Sequence, residues 1–340
     1  MYSILLVIVI LCSLLAITNR RGGGNPPVTK DYSDALKGFF SLMIVANHLA
    51  SSLNESIWLE PLFRNIGFIC VAFFFFISGW GTMSSYSRSS RYLETYIANK
   101  VKKILIPYLI AVLMYVLAEI ATGTSVMECI LSFCNGRPVA QYSWYIISVF
   151  ILYIGFWFAF VQKRVDPKYI LGIEAVFYLL IVYCLKWPMN WYNTYIAFFA
   201  GIFAYIKRKE IADFKHRALL TTLSLLCVIA VWVLTSYYTE NSFVMLVLYW
   251  CATLCACYLV FAMSTSTIFK SKIWSWLAEI SFELYIYHGL TNAVLKHVPY
   301  VCSSNYLYVI AAYICAVGMA YIMHQVNKFI IQRITAIGMS

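Results

Sequence analysis

Long apolar runs separated by short polar connections set the pattern along this chain. Eleven stretches approach the roughly 20 mostly apolar residues that a bilayer-crossing helix needs: 2–18, 35–53, 66–84, 104–122, 143–161, 168–186, 190–206, 218–238, 243–263, 275–295 and 306–327. The first and the seventh are the shortest. Pro and Gly mark several boundaries, notably Gly22-Gly23-Gly24-Asn25-Pro26-Pro27 and Lys186-Trp187-Pro188. The connections are too short for a separate soluble domain. The pattern therefore predicts an all-α polytopic transmembrane helix bundle of about 11 spans. It divides into an extra N-terminal transmembrane anchor and linker (1–30) and one membrane domain (31–340).

Several spans interrupt their apolar pattern with residues that are expensive in a membrane and mark function by default. In the second, Lys37, Ser41, His48 and Ser52 fall within about 60° on a helical wheel. His48 lies eleven residues beyond Lys37, about 16 Å along a helix axis. Alone, Lys37 reads as a lysine reaching the interface, and His48 as an interhelical hydrogen-bonding group. The stripe that joins them argues for more. In the tenth span, Ser281, Tyr285 and His288 share one face, while Glu279, Glu283 and Tyr287 share the opposite one. Two polar faces predict a span buried on both sides, with Glu283 either functional or paired to a neighbouring helix. Before the fourth span, Lys100 and Lys103 are three apart and face together on a helix, ahead of Pro107. Clustered ammonium groups suit a multiply phosphorylated ligand as point charges, or simply mark topology. Glu174 in the sixth span is a lone carboxylate.

Charge distribution fixes an orientation and removes a misreading. A formal net charge of +11 on 340 residues suggests nucleic acid. Alternate connections, however, hold 21 of the Lys and Arg, while the other set holds only Arg64, Arg137, Lys186 and Lys296. Such asymmetry is the positive-inside signal. It predicts an N-terminus outside, a cytoplasmic C-terminus and no nucleic-acid partner. Arg20-Arg21 follow the first apolar run, and no positive charge precedes it. That order predicts a retained anchor rather than a cleaved signal. Composition agrees: 62% hydrophobic, 11% charged and a mean hydropathy of +0.78 exclude a soluble enzyme, a disordered chain and a disulfide scaffold.

Most of the eleven cysteines lie inside spans, and none forms a C-x-x-C pair with a His at metal spacing. No metal site is expected. Cys129, Cys134 and Cys302 fall in outside connections, where a disulfide is open. No phosphate-loop, zinc-protease or serine-hydrolase motif is present.

Five segments in order carry a resemblance. They are Lys37 and His48 separated by ten residues; Phe73-Phe74-Phe75-Phe76-Ile77-Ser78-Gly79-Trp80; Lys100-x-x-Lys103 before Pro107; Ser143-Trp144-Tyr145; and Ser281-Phe282-Glu283-Leu284-Tyr285-Ile286-Tyr287-His288. Over about 31–328 the chain resembles the acyltransferase 3 family of polytopic membrane acyltransferases, which includes O-antigen and peptidoglycan O-acetylases. Two departures stand out: Lys37 replaces an arginine, and both members of the basic pair are lysines rather than arginines. Lysine keeps the charge and loses the bidentate fork. The first span is extra to the family's usual ten.

The resemblance implies an acyl-CoA donor, acetyl-CoA first among the candidates, taken as substrate with no resident cofactor. Lys37, Lys100 and Lys103 would bind its phosphates. His48 would be the catalytic base, with a covalent acyl-histidine relay less favoured. Ser78, Trp144, Ser281, Glu283, Tyr285 and His288 would line or support the acceptor side. The expected acceptor is a carbohydrate hydroxyl on a cell-surface or lipid-linked sugar, and the expected location is the cell inner membrane. A transporter or flippase is the competing class, since intramembrane polar stripes also build translocation paths. The chain shows neither internal repeats nor paired broken spans to favour it.

Overall fold

The computed structural model describes residues 17–19, 27–52, 60–89, 91–238, 242–269 and 271–337. Within a bilayer every backbone polar group must be satisfied inside its own segment, and the apolar runs accordingly form helices. The chain enters through a strand, β1 (Ile17–Asn19), that pairs antiparallel with β2 (Thr267–Phe269). Helix α1 (Lys30–Ala50) is capped by Thr29, whose hydroxyl accepts from the Tyr32 N–H. Then come α2 (Glu60–Asn65), α3 (Gly67–Arg88), α4 (Tyr96–Lys100), a π-helical segment (Val101–Leu105), α5 (Ile106–Ala121) and α6 (Val126–Cys134). After these follow α7 (Trp144–Val161), α8 (Pro167–Cys184), a 3-10 turn (Met189–Trp191), α9 (Ile196–Ile206), α10 (Arg208–Ala212) and α11 (Arg217–Tyr237). The chain closes with α12 (Phe243–Ser266), α13 (Lys272–Glu279), α14 (Ser281–Leu295), α15 (Pro299–Cys302) and α16 (Asn305–Ile337).

Helix α1 sits at the centre, packed against α3, α13, α14 and α16. Beside it, α3 and α9 approach closely because each offers a glycine at the crossing. A Cβ on Gly79 would collide with the Phe198 carbonyl oxygen, and one on Gly201 with that of Phe76. Small residues at the contact are how membrane helices gain packing area where lipid removes the hydrophobic drive. The outer helices turn apolar side chains outward: on α8, Ile173 is 67% and Phe177 62% exposed. In water this would be an aggregation surface; in a bilayer it is the lipid face.

Among the described residues, seven helices are long and apolar enough to cross a membrane. They correspond to seven of the eleven expected stretches: those beginning at 66, 104, 143, 168, 218, 243 and 306. The chain is a multi-pass membrane protein, and eleven crossings are not established. The stretch 2–18 lies outside the described residues except for its last two. The other three are helical and differ from expectation for identifiable reasons. Stretch 35–53 is α1, whose Asp34, Lys37, Asn47 and His48 lower its apolar character. Stretch 190–206 becomes helical only at Ile196. Stretch 275–295 is two helices that break at Ile280. All ten described cysteines are free thiols.

Candidate functional site

His48 projects from the last turn of α1 into a cavity of about 590 Å³. The same cavity is lined by residues from the 64–68, 136–144 and 188–193 segments and by Lys296. The imidazole stacks on the Tyr142 ring, 3.5 Å between centroids and 20° from parallel. His288 lies 5.1 Å away from His48 and 5.4 Å from Tyr142, also near-parallel. Tyr142 has a backbone φ of 65°, a left-handed conformation that is costly for a bulky residue and persists only where its surroundings impose it. The Tyr285 hydroxyl imposes part of it by donating to the Tyr142 carbonyl. Asn47 holds His48 from the other side. Its Oδ1 accepts from the Gly67 N–H at 2.8 Å, which turns its Nδ2 toward His48 Nδ1 at 3.5 Å. That second contact orients the ring and is too long to fix the proton.

Helix α14 supplies the rest of the stack. His288 Nδ1 lies 3.1 Å from the Leu284 carbonyl oxygen. A carbonyl only accepts, so Nδ1 carries the proton and Nε2 keeps its lone pair. That Nε2 is buried and has no hydrogen-bond partner among the described residues. Tyr285 lines the His48 cavity, as does Trp144 at the start of α7. Ser281 donates locally to the Ala278 carbonyl at the α13–α14 break, and is not in the stack. Glu283 points the other way: its two oxygens meet Asn327 Nδ2 at 3.0 Å and His324 Nδ1 at 3.3 Å, both on α16. Of its two readings, the structure favours pairing with a neighbouring helix. Glu174 is likewise away from the stack, packed against Gly155 of α7 with no hydrogen-bond partner for its oxygens among the described residues.

At the other end of α1, Lys37 forms an ion pair with Asp34 at 2.9 Å. It lines a second cavity of about 570 Å³ together with Lys30, Arg88 and Arg208. Of the three expected lysines, Lys37 lines this cavity, while Lys100 and Lys103 sit in α4 and the π segment. They do not form a simple helical face. Pro107 has no N–H and crowds the Lys103 carbonyl four residues earlier, and the preceding turn widens into the π segment. Lys103 is exposed, whereas Lys100 turns inward with its ammonium 3.4 Å from the Tyr153 ring centroid.

Ser78 Oγ lies 3.3 Å from the Tyr145 hydroxyl, and the Tyr145 ring is 5.6 Å from that of Tyr285. A family model described as an acyltransferase domain matches residues 30–325. The chain belongs to the acyltransferase 3 family. As a member of it, the chain is a membrane acyltransferase. No curated protein and no solved structure matches it.

For a member of this family, the sequence marked His48, Lys37, Trp144, Tyr285 and His288 and missed their closest companions. Tyr142 sits in a connection, where neither helical nor strand period signals a role. Asn47 was masked by its more conspicuous neighbour. Arg88 and Arg208 counted only as topology charges; the structure sets them in one cavity with Lys37.

Proposed function

We propose that the protein is an integral membrane O-acyltransferase that moves an acyl group, acetyl first among candidates, from acyl-CoA to a carbohydrate hydroxyl. It lies in the cell membrane with its N-terminus outside and its C-terminus cytoplasmic. The observation that carries the reading is His48: an imidazole stacked in a cavity, on the same helix as Lys37, in a chain matched by an acyltransferase model over residues 30–325. The cationic cavity at the Lys37 end suits the phosphates of coenzyme A, and its cations are the cytoplasmic set by the charge rule. The 16 Å or so of helix between Lys37 and His48 is the distance the donor's arm would cover.

In the reaction, the acceptor hydroxyl gives its proton to a neutral His48 as its oxygen attacks the thioester carbonyl. The carbon–sulfur bond breaks and the coenzyme A thiolate departs, taking back the proton. Tyr142 and Asn47 keep the imidazole oriented, and His288 Nε2 offers a second lone pair behind it. The test is incubation of purified protein with radiolabelled acetyl-CoA and a glycan panel. Label on a glycan hydroxyl, absent with His48→Ala, supports the reading. Label that crosses a vesicle membrane without becoming esterified identifies a transporter instead.

A further inference from the structure

The connections on the side opposite the lysine cluster hold only four basic residues: Arg64, Arg137, Lys186 and Lys296. All four are found in two adjoining cavities. Arg64, Arg137 and Lys296 line the His48 cavity; Arg137 continues into a neighbouring space of about 1150 Å³, where Lys186 joins it. The two cavities share Arg137 and Pro188. Topology disfavours Lys and Arg on this side, so scattered solvation charges would not gather at one mouth. Among the described residues that line the His48 cavity there is no Asp or Glu. In the neighbouring space the carboxylate of Glu128 is tied into a capping box with Ser125.

The rest of the lining suits a sugar. Asn190, Asn193 and Gln141 present amides that donate to and accept from hydroxyls. Trp144 and Tyr142 present flat rings. A cleft lined by one sign of charge concentrates ligands of the other, and an arginine fork matches carboxylate and phosphate oxygens.

We infer that the acceptor is an acidic glycan, with a carboxylate or phosphate within a sugar unit or two of the hydroxyl that His48 deprotonates. Arg137 and Lys296 are its specificity residues, and Lys186 meets the chain further along. The inference rests on the acyltransferase reading for the role of the cavity, and its test does not need turnover. Binding is measured on the full-length protein in detergent, by quenching of tryptophan fluorescence. The probes are tetragalacturonic acid, its methyl ester and a galactose tetramer bearing one phosphate. The acid should bind at least about tenfold more tightly than the ester, and the preference should shrink as salt rises. Arg137→Gln with Lys296→Gln should remove it. The phosphorylated tetramer separates the two anions: tighter binding than the acid assigns phosphate, weaker binding carboxylate. Equal binding of acid and ester, binding of none of the probes, or a preference that survives the double substitution overturns the inference. Acid binding without any label transfer from acetyl-CoA counts against the acyltransferase reading and leaves this one standing.

Discussion

At the His48 end of α1, three rings lie nearly parallel, pinned by a strained tyrosine, an asparagine and a backbone carbonyl. At the Lys37 end, eleven residues away, cations gather around an open cavity, and Lys37 pairs with Asp34. One region orders a ring to within a narrow geometry; the other assembles charge and leaves it adaptable. Under the proposed function, the difference follows from what each would do. Proton transfer needs an atom placed within hydrogen-bonding reach, whereas polyphosphate recognition through lysines needs positive potential more than fixed angles. A single helix links the two, and a displacement of α1 would misplace both.

That contrast makes graded predictions. His48→Ala should lower acyl transfer by roughly 10²- to 10⁴-fold while the protein still inserts and purifies. Losing a mere interhelical hydrogen bond would cost only about 0.6 kcal/mol and would spare most activity. Next, Lys100→Ala with Lys103→Ala should raise the donor KM about tenfold at low salt and leave kcat nearly unchanged, since those charges bind ground state and transition state alike. The effect should diminish as ionic strength screens the wild-type attraction. An unchanged donor KM would return the pair to a topology signal.

Tyr285→Phe should have a smaller effect of opposite kind. It frees the Tyr142 carbonyl and loosens the stack, lowering kcat about fivefold with the donor KM unaffected. A change in donor KM alone would show that the two regions are not separable in this way. The smallest effect belongs to Glu283→Gln. The amide still accepts from Asn327, and only the contact with His324 is weakened. Activity should stay within about twofold of wild type, with a stability loss on the order of 0.6 kcal/mol. Abolished transfer would move Glu283 into the catalytic machinery.

The same contrast explains what could be read from the chain. The apolar runs announced the bundle, because lipid-facing helices need nothing but length and hydropathy. The helices that carry the candidate site are harder to count as spans, because its polar residues interrupt their apolar pattern. Helix α1 is diluted by Lys37, Asn47 and His48, and the stretch holding His288 is broken at Ile280. Periodicity placed Tyr285 and His288 on a shared face correctly, since both fall within the unbroken α14. It also put Glu283 on the opposite face, where α16 receives it. Tyr142 was illegible: its role depends on a left-handed backbone in a connection and on a hydroxyl 143 residues away. The convergence of Arg64, Arg137 and Lys296 was equally hidden, because they come from three separate connections.

The central claim is that donor and acceptor meet across one helix from opposite faces. Sealed vesicles holding the protein in one orientation test it directly. Radiolabelled acetyl-CoA would be supplied on the side of Lys37, Lys100 and Lys103, and the acceptor glycan on the side of Arg137 and Lys296. The account predicts esterified glycan in this arrangement and none with the two substrates exchanged. Transfer that requires both substrates on the same face would contradict it.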